Sequence, residues 1–240
     1  MFPQKLFLFD FDGVIVDGMQ EYWHSSLFAC EKFLNSKNIK VDQKLYQKVP
    51  TTFKEIRPLV KYGWEMVLIV HEIIKTNNSL HELNKDDFIT KYHQNCKRIL
   101  KDNCWIAEDL QKILNESRKF QIDKDFETWV NLHNPFFEVL NFMEELKLRE
   151  IKSVIITTKG KIFAEKILKQ LNIYPEFIFG YESGTKIKIA EELSQTYEIL
   201  GFIEDRKKTL IDIKQNPKTS HIPCFLADWG YLQNEDRYNL

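Results

Sequence analysis

Leu6-Phe7-Leu8-Phe9-Asp10-Phe11-Asp12-Gly13-Val14 is the stretch that decides the fold. Four apolar residues run without alternation and stop at an acid. A run of that length reads as a strand buried on both faces, as in sheets covered by helices on each side. Outward from it, the same signature returns. Val154-Ile155-Ile156 centres a second run over 152–157, Phe177-Ile178-Phe179 forms a third, and 199–203 and 222–226 give a fourth and fifth. Between them lie segments with apolar residues at helical spacing: 135–149, opened by Pro135 as a first-turn proline, then 160–171, 185–197 and 206–214. Alternating strands and helices predict an α/β fold, a Rossmann-like core with a parallel sheet and right-handed crossovers.

The long gap between the first two strands has a different character. Segments 19–34, 63–75, 85–101 and 107–120 all show helical spacing, and Asn77-Asn78-Ser79 marks a helix stop and loop. The expected organisation is a core of residues 1–16 and 132–240, interrupted by an all-helical cap domain at 17–131. The crossings near Val16 and Asn131 would be hinges.

Composition removes several function classes. Lys and Arg number 34 against 35 Asp and Glu, so no basic excess points to nucleic acid. Cys30, Cys96, Cys104 and Cys224 form no Cys-x-x-Cys pair, and none of His24, His71, His81, His93, His133 and His221 sits at zinc-ligand spacing. They read as ordinary histidines and reduced, mostly buried thiols. The longest apolar stretches, such as 66–70, fall far short of a bilayer span, and the first residues lack the pattern of a secretion signal. A soluble cytoplasmic protein with no membrane or nucleic-acid partner is expected.

In parallel sheets, ligands sit beyond the carboxyl ends of the strands. Asp10, Thr157 and Asp205 fall at those ends. Asp10 and Asp12 point the same way if the chain stays extended, and two such carboxylates need a cation or a shared proton between them. Magnesium, a hard ion with oxygen ligands, suits that demand. Gly13 permits a positive φ and would let backbone N–H groups face an oxyanion, although an ordinary Asp-Gly turn reads the same. Thr157 and Thr158 could hold phosphate oxygens, or Thr158 could cap the next helix. Lys186 could offset negative charge, while Lys188 reads as a solvated lysine. Glu204-Asp205 fits a metal site, or a helix cap at Asp205.

Taken in order, these segments resemble the haloacid dehalogenase-like hydrolase superfamily, in the subgroup with a helical cap after the first motif. Asp10-Phe11-Asp12-Gly13-Val14 is similar to motif one, Val154-Ile155-Ile156-Thr157-Thr158-Lys159 to motif two, Thr185-Lys186 to motif three, and Gly201-Phe202-Ile203-Glu204-Asp205-Arg206 to motif four. Thr158 stands where Asn or Ser is common, and Ile187 where proline often follows the lysine. Motif four has the Glu-Asp form of β-phosphoglucomutase-like members; a later Asp would fall at Thr209 and is absent. Trp229-Gly230-Tyr231 resembles the end of many members.

The resemblance implies a phosphatase for a small phosphorylated metabolite, with magnesium as cofactor. It makes Asp10 the nucleophile and Asp12 the acid and base. Thr157 and Lys186 would hold phosphoryl oxygens, with Gly13 and Thr158 beside them. Magnesium would rest on Asp10, the Asp12 carbonyl oxygen and the Glu204-Asp205 pair, with the direct ligand of that pair left open. Arg57, before Pro58 early in the cap, is the candidate substrate contact there, ahead of Lys61, Trp64 and Glu65. A β-phosphoglucomutase-like mutase and a non-catalytic binding scaffold are the alternatives.

Overall fold

The computed structural model describes residues 3–32, 41–75 and 85–237. The chain divides into two compact units: Met1–Asp17 with Asn134–Leu240, and Gly18–His133. The first unit carries strands β1 (Lys5–Phe9), β2 (Val16–Asp17), β3 (Asn134–Pro135), β4 (Lys152–Ile156), β5 (Phe177–Phe179), β6 (Glu198–Glu204) and β7 (Cys224–Leu226). The second carries helices α1 (Met19–Lys32), α2 (Thr51–Ile56), α3 (Gly63–Ile74), α4 (Lys85–Thr90), α5 (Tyr92–Asp102), α6 (Ala107–Lys124) and α7 (Phe126–Val130). Back in the first unit follow α8 (Phe137–Leu148), α9 (Lys161–Gln170), α10 (Lys186–Ser194) and α11 (Lys207–Gln215).

Five strands form one parallel sheet in the order β5-β4-β1-β6-β7. The unbroken apolar run in β1 follows from its central place. Leu6 and Leu8 face one side, in a core with Val154, Ile156, Phe202, the α10 residues Ile189, Ala190 and Leu193, and Leu210 and Ile213 of α11. Phe7 and Phe9 face the other side, their rings 5.2 and 6.1 Å from Phe142 of α8. Each such side chain, fully buried, contributes about 1.5–3 kcal/mol. Gly201 makes room for this layer: a Cβ there would lie 2.6 Å from the Phe7 ring and 2.8 Å from Phe225. The pairing of β1 with β6 shifts register at that point.

In this strand order the chain moves outward from β1 through β4 to β5, then returns to β6 on the other flank of β1. The reversal opens a crevice at the carboxyl end of β1, the usual ligand position in such sheets.

The helical unit centres on α1, α3 and α6, which pack on one another. Met66 to Ile74 are all buried in α3, so that helix is wrapped by its neighbours rather than amphipathic. Trp23 packs edge-on against Phe53 at 5.3 Å, and its indole N–H donates to Leu45 O at 2.6 Å.

Several local expectations differ from the structure. The 85–101 segment is two helices, because Lys91 (φ −107°, ψ 29°) leaves helical geometry between α4 and α5. Pro135 is not in a helix: it sits in β3, paired antiparallel with Val16. The fixed φ of proline suits an edge strand as well as a first turn. Helices α2 and α7 were not expected. Helix α10 ends at Ser194 and α6 continues to Lys124. Residues 33–34, Asn77-Asn78-Ser79 and His81 lie outside the described residues. Cys30 and Cys96 are buried, Cys224 is half-buried and Cys104 is exposed, so the thiols are less uniformly covered than expected. No described helix is long and apolar enough to cross a membrane.

Candidate active site

The carboxyl end of β1 delivers Asp10, whose N–H donates to Ile203 O at 2.9 Å. The chain then turns tightly: Gly13 N–H donates to Val16 O at 2.7 Å and Ile15 N–H to Phe11 O at 2.8 Å. Gly13 has φ +85°, and a Cβ there would lie 2.0 Å from Asp205 Oδ2. A Cβ at Gly230 would lie 2.3 Å from the Cβ of Asp205. Asp205 thus occupies a slot that two glycines leave open. Gly13 has the expected positive φ; its own N–H is committed to the turn, and the missing Cβ supplies space for Asp205.

Asp10 Oδ1 accepts from Phe11 N–H at 2.7 Å and lies 2.8 Å from Lys186 Nζ. Lys186 also reaches Glu204 Oε2 at 2.6 Å, and its side chain is 12% exposed. Thr185 opens α10 by accepting from Lys188 N–H at 3.3 Å, which sets Lys186 at the first helical position. Burial pulls the Lys186 pKa down, but Asp10 and Glu204 outweigh it and leave the ammonium held above its ordinary value. Burial and the charge of Asp10 push Glu204 upward, against the pull of Lys186.

Asp10, Glu204 and Asp205 are buried, and each offers an oxygen within 4.8 Å of the others. Asp205 does not cap α11, whose cap is Arg206 with no side-chain bond. Its Oδ2 instead accepts from Tyr231 N–H at 2.9 Å. Glu204 Oε1 accepts from Arg206 N–H at 3.1 Å. Three buried carboxyl groups converging on one space are hard oxygen donors, and such a set fits a divalent cation such as magnesium.

Thr157 is buried at the end of β4, and its Oγ1 accepts from Lys159 N–H at 3.0 Å. Thr158 is exposed and does not cap α9. The cap of that helix is Gly160, and Glu182 Oε1 takes the Lys161 N–H at 3.0 Å. The structure therefore gathers Asp10, Asp12, Gly13, Thr157, Lys186, Glu204 and Asp205 within one unit. Arg57 stands in the helical unit, its guanidinium 4.6 Å over the Tyr22 ring and 3.3 Å from the Tyr22 hydroxyl. Glu65 is committed to the start of α3, where Oε2 accepts from Lys61 N–H at 2.6 Å and Tyr62 N–H at 3.2 Å.

Three residues at the site were given no role from sequence. Lys159 brings Nζ to 3.4 Å from Asp12 Oδ1. Tyr231 bridges Asp205 and, through its hydroxyl at 2.6 Å, Asp17. A lysine directly after a strand-end threonine pair was the available signal for the first, and the Trp229-Gly230-Tyr231 segment for the second. Nothing local marked Asp17.

The chain matches the family described as haloacid dehalogenase-like hydrolase over residues 4–207. No curated protein matches. Among solved structures it is similar to phosphatase Tt82 from Thermococcus thioreducens, with TM-score 0.60, 12% identity and 92% of each chain covered. It is also similar to a structure from Clostridium acetobutylicum described as a predicted phosphatase, with TM-score 0.55, 16% identity, and 98% of this chain and 89% of that one covered. At these identities the likeness speaks for the fold. The match over most of the length, a span that includes Asp10 and Asp205, makes this chain a member of the haloacid dehalogenase-like hydrolase family.

Proposed function

We propose that this hydrolase is a magnesium-dependent phosphatase of a small phosphorylated metabolite, working through an aspartyl-phosphate on Asp10. The observation that carries the reading is the setting of Asp10. One side chain carries the nucleophilic oxygens, a buried ammonium lies 2.8 Å away, and two further acids share its surroundings. An acid two residues on, Asp12, is buried beside it.

Lys186 and the Phe11 amide fix the Asp10 carboxylate, so its orientation is set before substrate arrives. An Asp10 oxygen bonds to phosphorus as the bond to the leaving oxygen breaks. Asp12 gives that oxygen its proton, then takes one from the water that cleaves the aspartyl-phosphate. Lys186 and Thr157 oppose the charge on the phosphoryl oxygens, aided by the exposed turn at Thr158. Asp10 and Asp205, with the Asp12 carbonyl oxygen, would hold magnesium, while Glu204 completes the acidic ring and fixes Lys186. The ion, when bound, neutralises charge between the nucleophile and the phosphoryl group.

The test is phosphate release from p-nitrophenyl phosphate and a panel of phosphorylated metabolites, with and without magnesium. Release should require the ion, and Asp10→Asn should lower it on the order of 10⁴-fold or more. Undiminished release in Asp10→Asn would sink the reading. Isomerisation of a sugar phosphate without net release would replace it with a mutase.

A further inference from the structure

We infer that Lys159 is a positioning residue for Asp12, a second buried lysine with a task separate from that of Lys186. The inference rests on the phosphatase reading and deepens it. The backbone of Lys159 is pinned from both sides. Its N–H donates to Thr157 Oγ1 at 3.0 Å, and its carbonyl accepts from Tyr181 N–H at 3.3 Å. Gly180 permits the close approach, since a Cβ there would meet the Lys159 carbonyl oxygen at 3.0 Å. The side chain is 1% exposed and ends 3.4 Å from Asp12 Oδ1, itself 8% exposed.

Burying an ammonium so fully is costly unless a fixed counter-charge meets it. Lys186 already serves Asp10 and Glu204. Lys159 reaches the other acid of the motif. The site thus gives the nucleophile and the proton carrier a lysine each. Asp12 follows a nucleophile on a tight turn, where rotation of its side chain would carry the carboxyl away from the leaving oxygen. A lysine anchored in the loop just past the neighbouring strand β4 limits that rotation. In the reaction, the bond from phosphorus to the leaving oxygen breaks as the Asp10 oxygen bonds to phosphorus. The leaving oxygen keeps the electron pair and receives the Asp12 proton, and Lys159 keeps all of its own.

A positioning role has a signature that a structural or phosphate-binding role lacks. p-Nitrophenolate leaves with little help, whereas the more basic phenolate needs the proton. Lys159→Met, compared with wild type on p-nitrophenyl and phenyl phosphate under saturating magnesium, should lose kcat/KM selectively. The loss on phenyl phosphate should be roughly tenfold greater than on p-nitrophenyl phosphate, in the same direction as Asp12→Asn. Lys159→Gln, which retains a donor, should fall between wild type and Met, and it serves if the Met variant does not fold. Equal losses on the two esters, or a raised KM alone, would overturn the inference while leaving the phosphatase intact. A wild type that releases phosphate from neither ester would overturn the phosphatase reading itself, and this inference with it.

Discussion

Both units of the molecule bury ionised side chains, and they do so in opposite ways. In the helical unit, Glu21 is fully buried and Arg118 is 2% exposed, joined by two bonds of 2.7 and 3.0 Å. Ser25 Oγ donates to the same carboxylate at 2.6 Å, Ser117 and Gln121 extend the network, and His133 Nε2 lies 3.8 Å from Glu21 Oε2. Charge there is matched, and α1 and α6 are fastened together. In the α/β unit, Asp10, Glu204 and Asp205 are instead brought together at one end of the sheet, each with an oxygen within 4.8 Å of the others. Matched buried charge holds an architecture. Acids gathered on one space repel unless a cation joins them, which is why the second arrangement reads as a site.

Arg118→Ala puts the first half of this contrast under the greatest strain. It leaves Glu21 buried without its cation, a change that costs about 3–5 kcal/mol. Urea unfolding followed by tryptophan fluorescence should register the loss, since Trp23, Trp64, Trp105 and Trp129 of the chain's five tryptophans belong to the helical unit. Replacing both partners with Met should recover much of it, because an apolar pair leaves no orphaned charge. A loss below about 1 kcal/mol for Arg118→Ala would mean that the network is wet or dispensable.

The two units also differed in how far they could be read from sequence. The sheet was legible because its strands carry short apolar runs: those of β1 and β4 are buried, and that of β5, at the sheet edge, is half-buried yet unbroken. The acids were legible because they follow those runs directly. The helical unit was legible in outline only. Lys91 breaks 85–101 without glycine or proline, and α2 and α7 are too short for a periodicity to show. Lys159 and Tyr231 escaped for another reason. A long side chain finds its partner across space, and Tyr231 meets Asp205 from 26 positions away. Glu21 and Arg118, 97 positions apart, were hidden in the same way.

Gly13→Ala sharpens the second half of the contrast. Its Cβ would collide with Asp205 Oδ2 at 2.0 Å, in a backbone at φ +85° that side chains rarely adopt. The backbone strain alone costs on the order of 1–3 kcal/mol. Asp205 must also leave its slot, so magnesium affinity, measured by titration calorimetry, should fall along with the thermal midpoint. A variant with a lowered midpoint and unchanged magnesium affinity would detach Asp205 from the metal site.

The smallest effect is expected two residues from one of the largest. Lys186 and Lys188 lie on the first turn of α10, yet they sit on different sides of the boundary between site and surface. Lys186 is 12% exposed and touches two acids, while Lys188 is 68% exposed and lies 3.9 Å from Glu192. An exposed pair within a helix is screened by water and contributes little. Lys188→Ala should therefore change stability by no more than about 0.5 kcal/mol. Its kcat on p-nitrophenyl phosphate should match wild type. Lys186→Ala removes the ammonium that keeps Asp10 and Glu204 together and should reduce turnover close to background. If the two variants lost activity alike, general positive potential over the sheet end would be acting on phosphate. If only Lys186→Ala fails, the effect belongs to a single ammonium at 2.8 Å from the nucleophile, as its place between two buried acids requires.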